Sequence, residues 1–348
     1  MLSSVVQTTM HPTIQTIMIV WSVTISYPNE EVEMGARFPV RGLLPAIGLI
    51  VCAVLTLWIG GGLLHIDPGT LSVFTLFATW FAFVISTGGG WPIAKVSLPW
   101  RGIIFLLVCL VYGVFHMWAQ PNLLGFSQDY YWPAIANLFL AIGITIAFDN
   151  KLVAGLKQPI ALIMNIAFWY LFAYLMIIVV PVNNGMVPAI WFAWFLFVFF
   201  WLERWPIAGL PLPAKGILSF CMMVGLGVLL NYIFVWFFGS SFFQPGANSW
   251  FACWVFWLVM TSWIFDTWPF QTLKQPAKGL VGLVLTVALA SLTWVVLRFV
   301  IGIELANLGS YVWVFICWAY LWAICLGKWP ATEKAAPAPS KASKEVTA

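Results

Sequence analysis

The sequence predicts an all-α membrane protein: a helix bundle of about ten transmembrane helices, built from five tandem two-helix repeats in parallel orientation. Three observations predict this fold. Apolar residues make up 63% of the 348 residues and charged residues only 7%, a composition typical of polytopic membrane proteins. A short proline motif recurs at nearly constant spacing, and almost all basic residues lie near it or after the last apolar segment.

Long uncharged segments account for most of the chain. Most approach the roughly 20 residues with which an α-helix crosses a hydrocarbon core of about 30 Å. They are apolar on all sides, whereas the strands of a membrane barrel would alternate apolar and polar residues. We therefore predict transmembrane helices at about 42–64, 69–88, 102–119, 130–148, 159–181, 184–202, 216–238, 248–265, 279–303 and 308–327.

A Pro-x-(Lys/Arg)-Gly motif, or its remnant, opens each pair of apolar segments. Its prolines are Pro39, Pro99, Pro159, Pro213 and Pro276, spaced 60, 60, 54 and 63 residues apart. Proline ends one helix and starts the next, glycine allows close packing, and the basic residue meets lipid headgroups. A period of this length indicates tandem units, which together form a transmembrane domain at 37–330. We place the five units at about 37–92, 93–150, 151–206, 207–269 and 270–330.

The two ends of the chain fall outside the repeats. Residues 1–36 form an irregular segment whose apolar part, 13–27, is too short for an ordinary span and lacks the basic leader of a signal peptide. The sequence leaves open whether translation starts at Met1 or at Met34. Residues 331–348 are rich in Ala, Pro, Ser and Lys, which is typical of a disordered tail.

The basic residues predict the orientation in the membrane. Fourteen of the fifteen Lys and Arg residues lie in the motif-bearing linkers or after the last apolar segment, and Arg298 is the exception. The positive-inside rule therefore places the linkers and the C-terminal tail in the cytoplasm, and we expect an inner (cell) membrane of a prokaryote. The lipid bilayer is the expected partner, and no nucleic-acid-binding module is recognisable.

Tryptophans recur in the even-numbered segments. Each of four is followed eleven residues later by a second Trp, and this spacing returns to nearly the same helix face. The pattern predicts a packing seam between repeats, with an aromatic-lined substrate path as the alternative. The pattern is interrupted once, where Leu140 stands in place of the Trp. The four candidates are Trp80, Trp194, Trp257 and Trp318.

Ionisable residues are rare near the segments, and in a membrane such residues often serve a function. Asp149, Glu203 and Asp266 occupy one repeat position, ten residues before a motif proline. They are candidates for gating or ion handling, or else for pairing with a neighbouring linker cation such as Lys151, Arg204 or Lys274.

Four further polar residues are candidates for binding a substrate. Asn137, Asn165 and Asn231 lie deep in apolar segments, where interhelical hydrogen bonds are the alternative role. Arg298 either extends towards the membrane surface or faces inward to hold an organic anion.

Motifs for metal, cofactor or catalytic chemistry are missing from the sequence. His65 and His116 lie near the non-cytoplasmic ends of odd-numbered segments and make only a weak metal or haem pair. The six cysteines have no Cys-x-x-Cys spacing, and no hydrolase or protease motif occurs. We therefore predict no metal, no cofactor and no enzyme activity.

The leading hypothesis is an integral membrane transporter or facilitator for a small organic solute, for example an amino-acid-like one. Five hairpins of the same orientation are able to close around a common path. The alternative is a non-transporting membrane subunit or scaffold that binds a partner complex or lipid through its Trp-rich helix faces. Both hypotheses are compatible with a homo-oligomer.

Overall fold

The computed structural model describes residues 40–87, 96, 100–148, 156–157, 159–179, 187–238 and 245–326. Over these residues the chain is helical, with no strand, which confirms the predicted all-α class. The predicted terminal segments 1–36 and 331–348 lie outside the described residues. The helices are α1 (Val40–Leu57), α2 (Pro68–Thr87), α3 (Trp100–Asn122), α4 (Tyr131–Ala147), α5 (Ile160–Val179), α6 (Val187–Leu196), α7 (Leu212–Phe238), α8 (Pro245–Val259), α9 (Ala277–Val295) and α10 (Leu305–Cys325).

Four of the helices continue into a π-helix. These extensions are Trp58–Leu63 after α1, Phe197–Trp201 after α6, Met260–Ile264 after α8 and Val296–Val300 after α9. Among the described residues, eight helices are long and apolar enough to cross a membrane, as expected of a multi-pass membrane protein. Helices α6 and α8 are not in that set, so the number of ten spans stays a prediction.

The helices form an inner and an outer layer. In α2, α4 and α10, 72–78% of the residues are buried, and α6 and α8 are buried over most of their described length. In the odd-numbered helices the buried share is only 22–39%. Their outward faces carry large exposed apolar side chains such as Val111, Ile178 and Val284. An apolar outer surface of this extent fits a lipid environment.

The inner helices form a closed ring. Helix α2 contacts α4, α4 contacts α6, α6 contacts α8, and α8 contacts α10. Helix α10 packs in turn against α2, which closes the ring. The outer helices pack on pairs of inner ones: α3 on α2 and α10, α5 on α4 and α2, α7 on α6 and α4, and α9 on α8 and the π-helix after α6. Helix α1 packs on α10 and the π-helix after α8. Each other outer helix packs on the inner helix that precedes it in the chain, so α1 takes the place of an outer helix that would follow α10.

The motif glycines allow the outer helices to approach this ring closely. A Cβ atom at Gly102 would lie 2.7 Å from the Cys325 carbonyl oxygen, closer than real Cβ atoms come to other heavy atoms. Each such glycine, in the first turn of an outer helix, meets a side chain just after the last turn of an inner helix. The pairs are Gly42 with Phe265, Gly102 with Leu326, Gly216 with Phe148 and Gly279 with Leu202. The described linkers therefore lie at one end of the ring, the linker end, and the other connections lie at the loop end.

Backbone hydrogen bonds recur at the spacing of the motif. At the linker end, Leu202 N–H donates to the Phe197 carbonyl and Arg204 N–H to the Val198 carbonyl, and the same two bonds recur 63 residues later. At the loop end, the bonds from Leu64 N–H to Ile59 and from Ile66 N–H to Gly60 recur 60 and 237 residues later, after α3 and after α9. The connections at each end thus share one backbone geometry.

Candidate functional site

A small apolar cavity, which we call the axial cavity, lies between the inner helices. Its volume is about 30 Å³, and four inner helices contribute to its lining. Such a volume holds one or two water molecules. The lining includes Leu76 of α2, Trp132 and Ala136 of α4, Val255 of α8, and Trp313 and Tyr320 of α10.

An aromatic layer closes the axial cavity towards the linker end. Each inner helix, or its π extension, contributes one ring to this layer: Phe83, Phe139, Phe200, Trp263 and Tyr320. The Phe83 ring lies 5.8 Å from Phe139, 5.7 Å from Trp263 and 5.2 Å from Tyr320. Towards the loop end, Trp132 and Trp313 close the cavity with their ring centroids 6.0 Å apart.

Two polar atoms are buried at this cavity without a hydrogen-bond partner among the described residues. They are Nε1 of Trp313 and the hydroxyl of Tyr320. An unsatisfied buried polar group costs about 1–3 kcal/mol. The axial cavity therefore combines apolar walls with two unused hydrogen-bonding groups.

Three of the predicted tryptophans, Trp80, Trp257 and Trp318, contact outer helices, whereas Trp194 packs on Trp254 of the inner helix α8. Trp257 Nε1–H donates to the Thr293 hydroxyl of α9 at 2.8 Å, and Trp318 Nε1–H donates to the Thr56 hydroxyl of α1 at 2.9 Å. Trp80 and Trp194 are buried as well, but their Nε1 atoms have no hydrogen-bond partner among the described residues. None of these four tryptophans lines the axial cavity.

A buried hydrogen-bonding cluster lies between α2, α3 and α5. We define the His116 cluster as His116, Tyr112, Tyr170, Gln120 and Trp80. His116 Nδ1 lies 3.0 Å from the Tyr112 hydroxyl and 2.8 Å from the Tyr170 hydroxyl, and the two hydroxyls contact each other. The Trp80 ring packs 5.6 Å from Tyr112 and 5.2 Å from Tyr170.

One arrangement of protons satisfies His116 Nδ1 and both tyrosine hydroxyls together, and it places the imidazole proton on Nε2. In this arrangement one tyrosine O–H donates to His116 Nδ1, and the O–H of the other tyrosine donates to the hydroxyl oxygen of the first. Both tyrosine protons are then used in hydrogen bonds. A neutral imidazole then carries its proton on Nε2. His116 is 2% exposed, yet Nε2 has no partner among the described residues. In this tautomer the cluster presents a buried N–H donor.

Gln120 enlarges this unsatisfied polar region. It lies one turn after His116 on α3 and is fully buried, and both its Oε1 and its Nε2 have no hydrogen-bond partner in the described structure. On α5, the Tyr174 hydroxyl is also buried without a partner. Native proteins leave few such groups, and each one calls for an explanation.

The local sequence of α3 builds this cluster. Tyr112, His116 and Gln120 are spaced by four residues, which places them along one side of the helix. Gly113 allows this side to approach α2, because a Cβ atom there would lie 2.9 Å from the Phe74 carbonyl oxygen. The His116 ring consequently packs 4.0 Å from Phe77 of α2.

The other polar candidates occupy separate places. Asn137 Nδ2–H donates to the Ala173 carbonyl of α5 at 3.3 Å, while its Oδ1 has no partner among the described residues. Asn165 is buried and its Oδ1 is likewise unpaired, whereas Asn231 is half-buried. Arg298 donates to the Ile303 carbonyl at 3.1 Å, within the connection from α9 to α10.

The predicted row of carboxylates is described only in part. Glu203 pairs with Lys278 in the first turn of α9 at 2.5 Å, so its partner comes from the next linker and is not the adjacent Arg204. Asp266 accepts a hydrogen bond from Gln271 through its backbone carbonyl. Asp149 lies outside the described residues.

His65 lies in a separate pocket at the loop end, away from the His116 cluster. This pocket has a volume of about 190 Å³ and is also lined by Asp67 and Tyr311. The Asp67 carboxylate caps α2 by accepting the Thr70 N–H at 2.9 Å. Its partial burial raises its pKa, but hydrogen bonds from Thr70 and Gly69 outweigh this effect and leave the pKa below its ordinary value.

Sequence reasoning gave no weight to Tyr112, Gln120 and Tyr170. The signal was present, because Tyr112, His116 and Gln120 form a polar stripe with helical spacing in an otherwise apolar segment. The partner Tyr170 belongs to another predicted unit, and no local pattern connects it to α3. A search of the chain against protein-family models, curated proteins and solved structures finds no match.

Proposed function

We propose that the protein is a membrane carrier or facilitator for a small neutral organic solute, built as a ring of five tandem two-helix units. The observation that carries this proposal is the axial cavity, which lies between inner helices and is bordered by aromatic rings towards both ends. An apolar cavity between inner helices, bordered by aromatic gates, is the arrangement expected of a transport site.

Two observations support the tandem organisation. The motif glycines meet equivalent side chains in four places, and the backbone hydrogen bonds at both ends recur at the spacing of the motif. The clustering of the linkers at one end, together with their Lys and Arg residues, supports a cytoplasmic location for that end.

The axial cavity suits a neutral solute. Its lining is aromatic and aliphatic, and the unused polar atoms at its wall are an indole N–H and a phenol hydroxyl. A charged solute would find no counter-ion among these lining residues, and burying an unpaired charge is costly. Because the present volume is far below that of an organic solute, passage requires the aromatic layer to open, as in alternating access.

Filling the cavity tests the proposal. Purified protein is reconstituted into liposomes, and uptake of a panel of labelled uncharged solutes, such as glycerol, urea and acetamide, is measured for the wild type and for Ala136→Phe. The wild type should take up at least one of these probes, and the variant should lose most of that uptake because its ring occupies the cavity. Val111→Phe, on the lipid-facing side of α3, is the matched control and should retain uptake.

Two results would contradict this proposal. One is uptake by Ala136→Phe equal to that of the wild type, with the variant monodisperse in detergent. The other is no uptake of any probe by the wild type, together with a stoichiometric partner that persists through purification in mild detergent. The second result would favour the scaffold hypothesis.

A further inference from the structure

We propose that the His116 cluster is a second binding site, distinct from the axial cavity, for a neutral, flat, lipid-soluble molecule that carries a ring carbonyl, as quinones do. The site lies between an inner helix and two outer helices, whereas the axial cavity lies inside the ring. The two sites share no lining residue.

The unpaired polar atoms define the hydrogen bonds that the ligand makes. With its proton on Nε2, His116 is a buried donor, and one helical turn away the Gln120 amide N–H is a second unpaired donor. A carbonyl oxygen is the acceptor that such donors require. The Gln120 Nε2–H then donates to a second carbonyl of the ligand.

The surrounding side chains favour a flat and uncharged molecule. The rings in contact with the cluster include Phe77, Phe81 and Tyr174, all without charge. Tyr170 and Tyr174 lie nearly parallel, with an interplanar angle of 3°. Aromatic walls of this kind pack best against the face or edge of another ring, and an unpaired charge among them would be costly.

The position of the cluster favours entry from the lipid. Helices α3 and α5 both pack on α2, and the cluster bridges them through Tyr112 and Tyr170. Both tyrosines, and Phe81 on the inner helix, are only half-buried. The adjacent Phe115 is 50% exposed and faces outward. A lipid-soluble molecule therefore meets the edge of the cluster without crossing the inner ring.

Thermal unfolding in phosphatidylcholine nanodiscs tests this site, with decylubiquinone as the probe and decylbenzene as the compound that lacks the oxygens. Decylubiquinone should raise the Tm of the full chain by several degrees, because a ligand that binds only the folded state stabilises it. Decylbenzene should leave the Tm unchanged. Gln120→Leu and His116→Phe should each remove the shift, since they delete the hydrogen-bonding atoms at nearly constant volume.

Ser219→Ala is the matched control, since it deletes another buried, unpartnered polar atom, on α7. It should keep the full decylubiquinone shift. The proposal is overturned if the wild type shows no shift, if decylbenzene gives the same shift, or if Gln120→Leu and His116→Phe keep it. A Gln120→Leu variant with a higher Tm than an unresponsive wild type would identify the cluster as an unfilled polar defect.

Discussion

The same position of the unit holds different residues on two sides of the ring. On the side formed by α8, α9, α10 and α1, the inner-helix tryptophans Trp257 and Trp318 each donate to an outer-helix threonine, Thr293 or Thr56. On the side formed by α2, α3 and α5, the residue equivalent to these threonines is His116. There the indole of Trp80 is unpaired, and Nδ1 of His116 lies within hydrogen-bond distance of two tyrosine hydroxyls.

This difference separates a packing seam from a site that can bind. Indole and hydroxyl satisfy each other in the seam, so little hydrogen-bonding capacity is left for another molecule. In the His116 cluster the residues are larger and more polar, and several buried atoms have no protein partner in the described part of the chain. The same helix arrangement thus forms a packing seam where the outer helix has threonine, and a polar cluster where it has His116 with its tyrosine partners.

The largest loss of stability is expected at a motif glycine, because the close contact of this glycine with an inner helix recurs on both sides of the ring. Gly102→Leu introduces a side chain against the Cys325 carbonyl and the Leu326 backbone, neither of which can move without shifting α10. We expect a loss of about 3 kcal/mol in the free energy of unfolding, measured by denaturant titration in detergent micelles. Gly225→Ala, where nothing lies within 4 Å, should be neutral or slightly stabilising. A Gly102→Leu variant of wild-type stability would refute the close-packing role of the motif glycine.

A smaller effect is expected from breaking the seam alone. Thr293→Val keeps the shape of the side chain but leaves the Trp257 N–H without its acceptor, at a cost of about 1 kcal/mol. A double-mutant cycle with Trp257→Phe should give a favourable coupling energy of about 0.6–1 kcal/mol. A coupling energy near zero would mean that the hydrogen bond does not stabilise the seam.

The smallest change in stability, and the sharpest test of the comparison, comes from His116→Thr. This substitution places on α3 the residue type found at the equivalent positions of α1 and α9. The stability should stay within about 1 kcal/mol of the wild type, because a lost tyrosine bond is offset by a new partner for Trp80. Trp80→Phe should therefore lower the free energy of unfolding more in the His116→Thr variant than in the wild type. An equal loss in both backgrounds would remove the distinction between the two sides.

The sequence predicted the helical class, the approximate helix bounds and the close packing of the motif glycine, because these depend on composition, local periodicity and chain geometry. The closure of the ring was left open, since which helices become neighbours depends on packing between distant segments. The aromatic layer gave no periodic signal either. Phe83, Phe200, Trp263 and Tyr320 stand three, six, six and two residues after the equivalent Trp, so their meeting on the axis follows from helix rotation and π extensions.

The placement of α1 against α10 has a consequence for biosynthesis. Of the described helices, α1 leaves the ribosome before all others, yet the surface that receives it is completed only when α10 has been inserted. Until then α1 must reside in lipid as an independent span, and the groove between α8 and α10 does not exist. Folding in the membrane therefore includes a late step in which α1 and α10, the first and last of the described helices, pack together. Truncation before α10 would leave α1 without this contact.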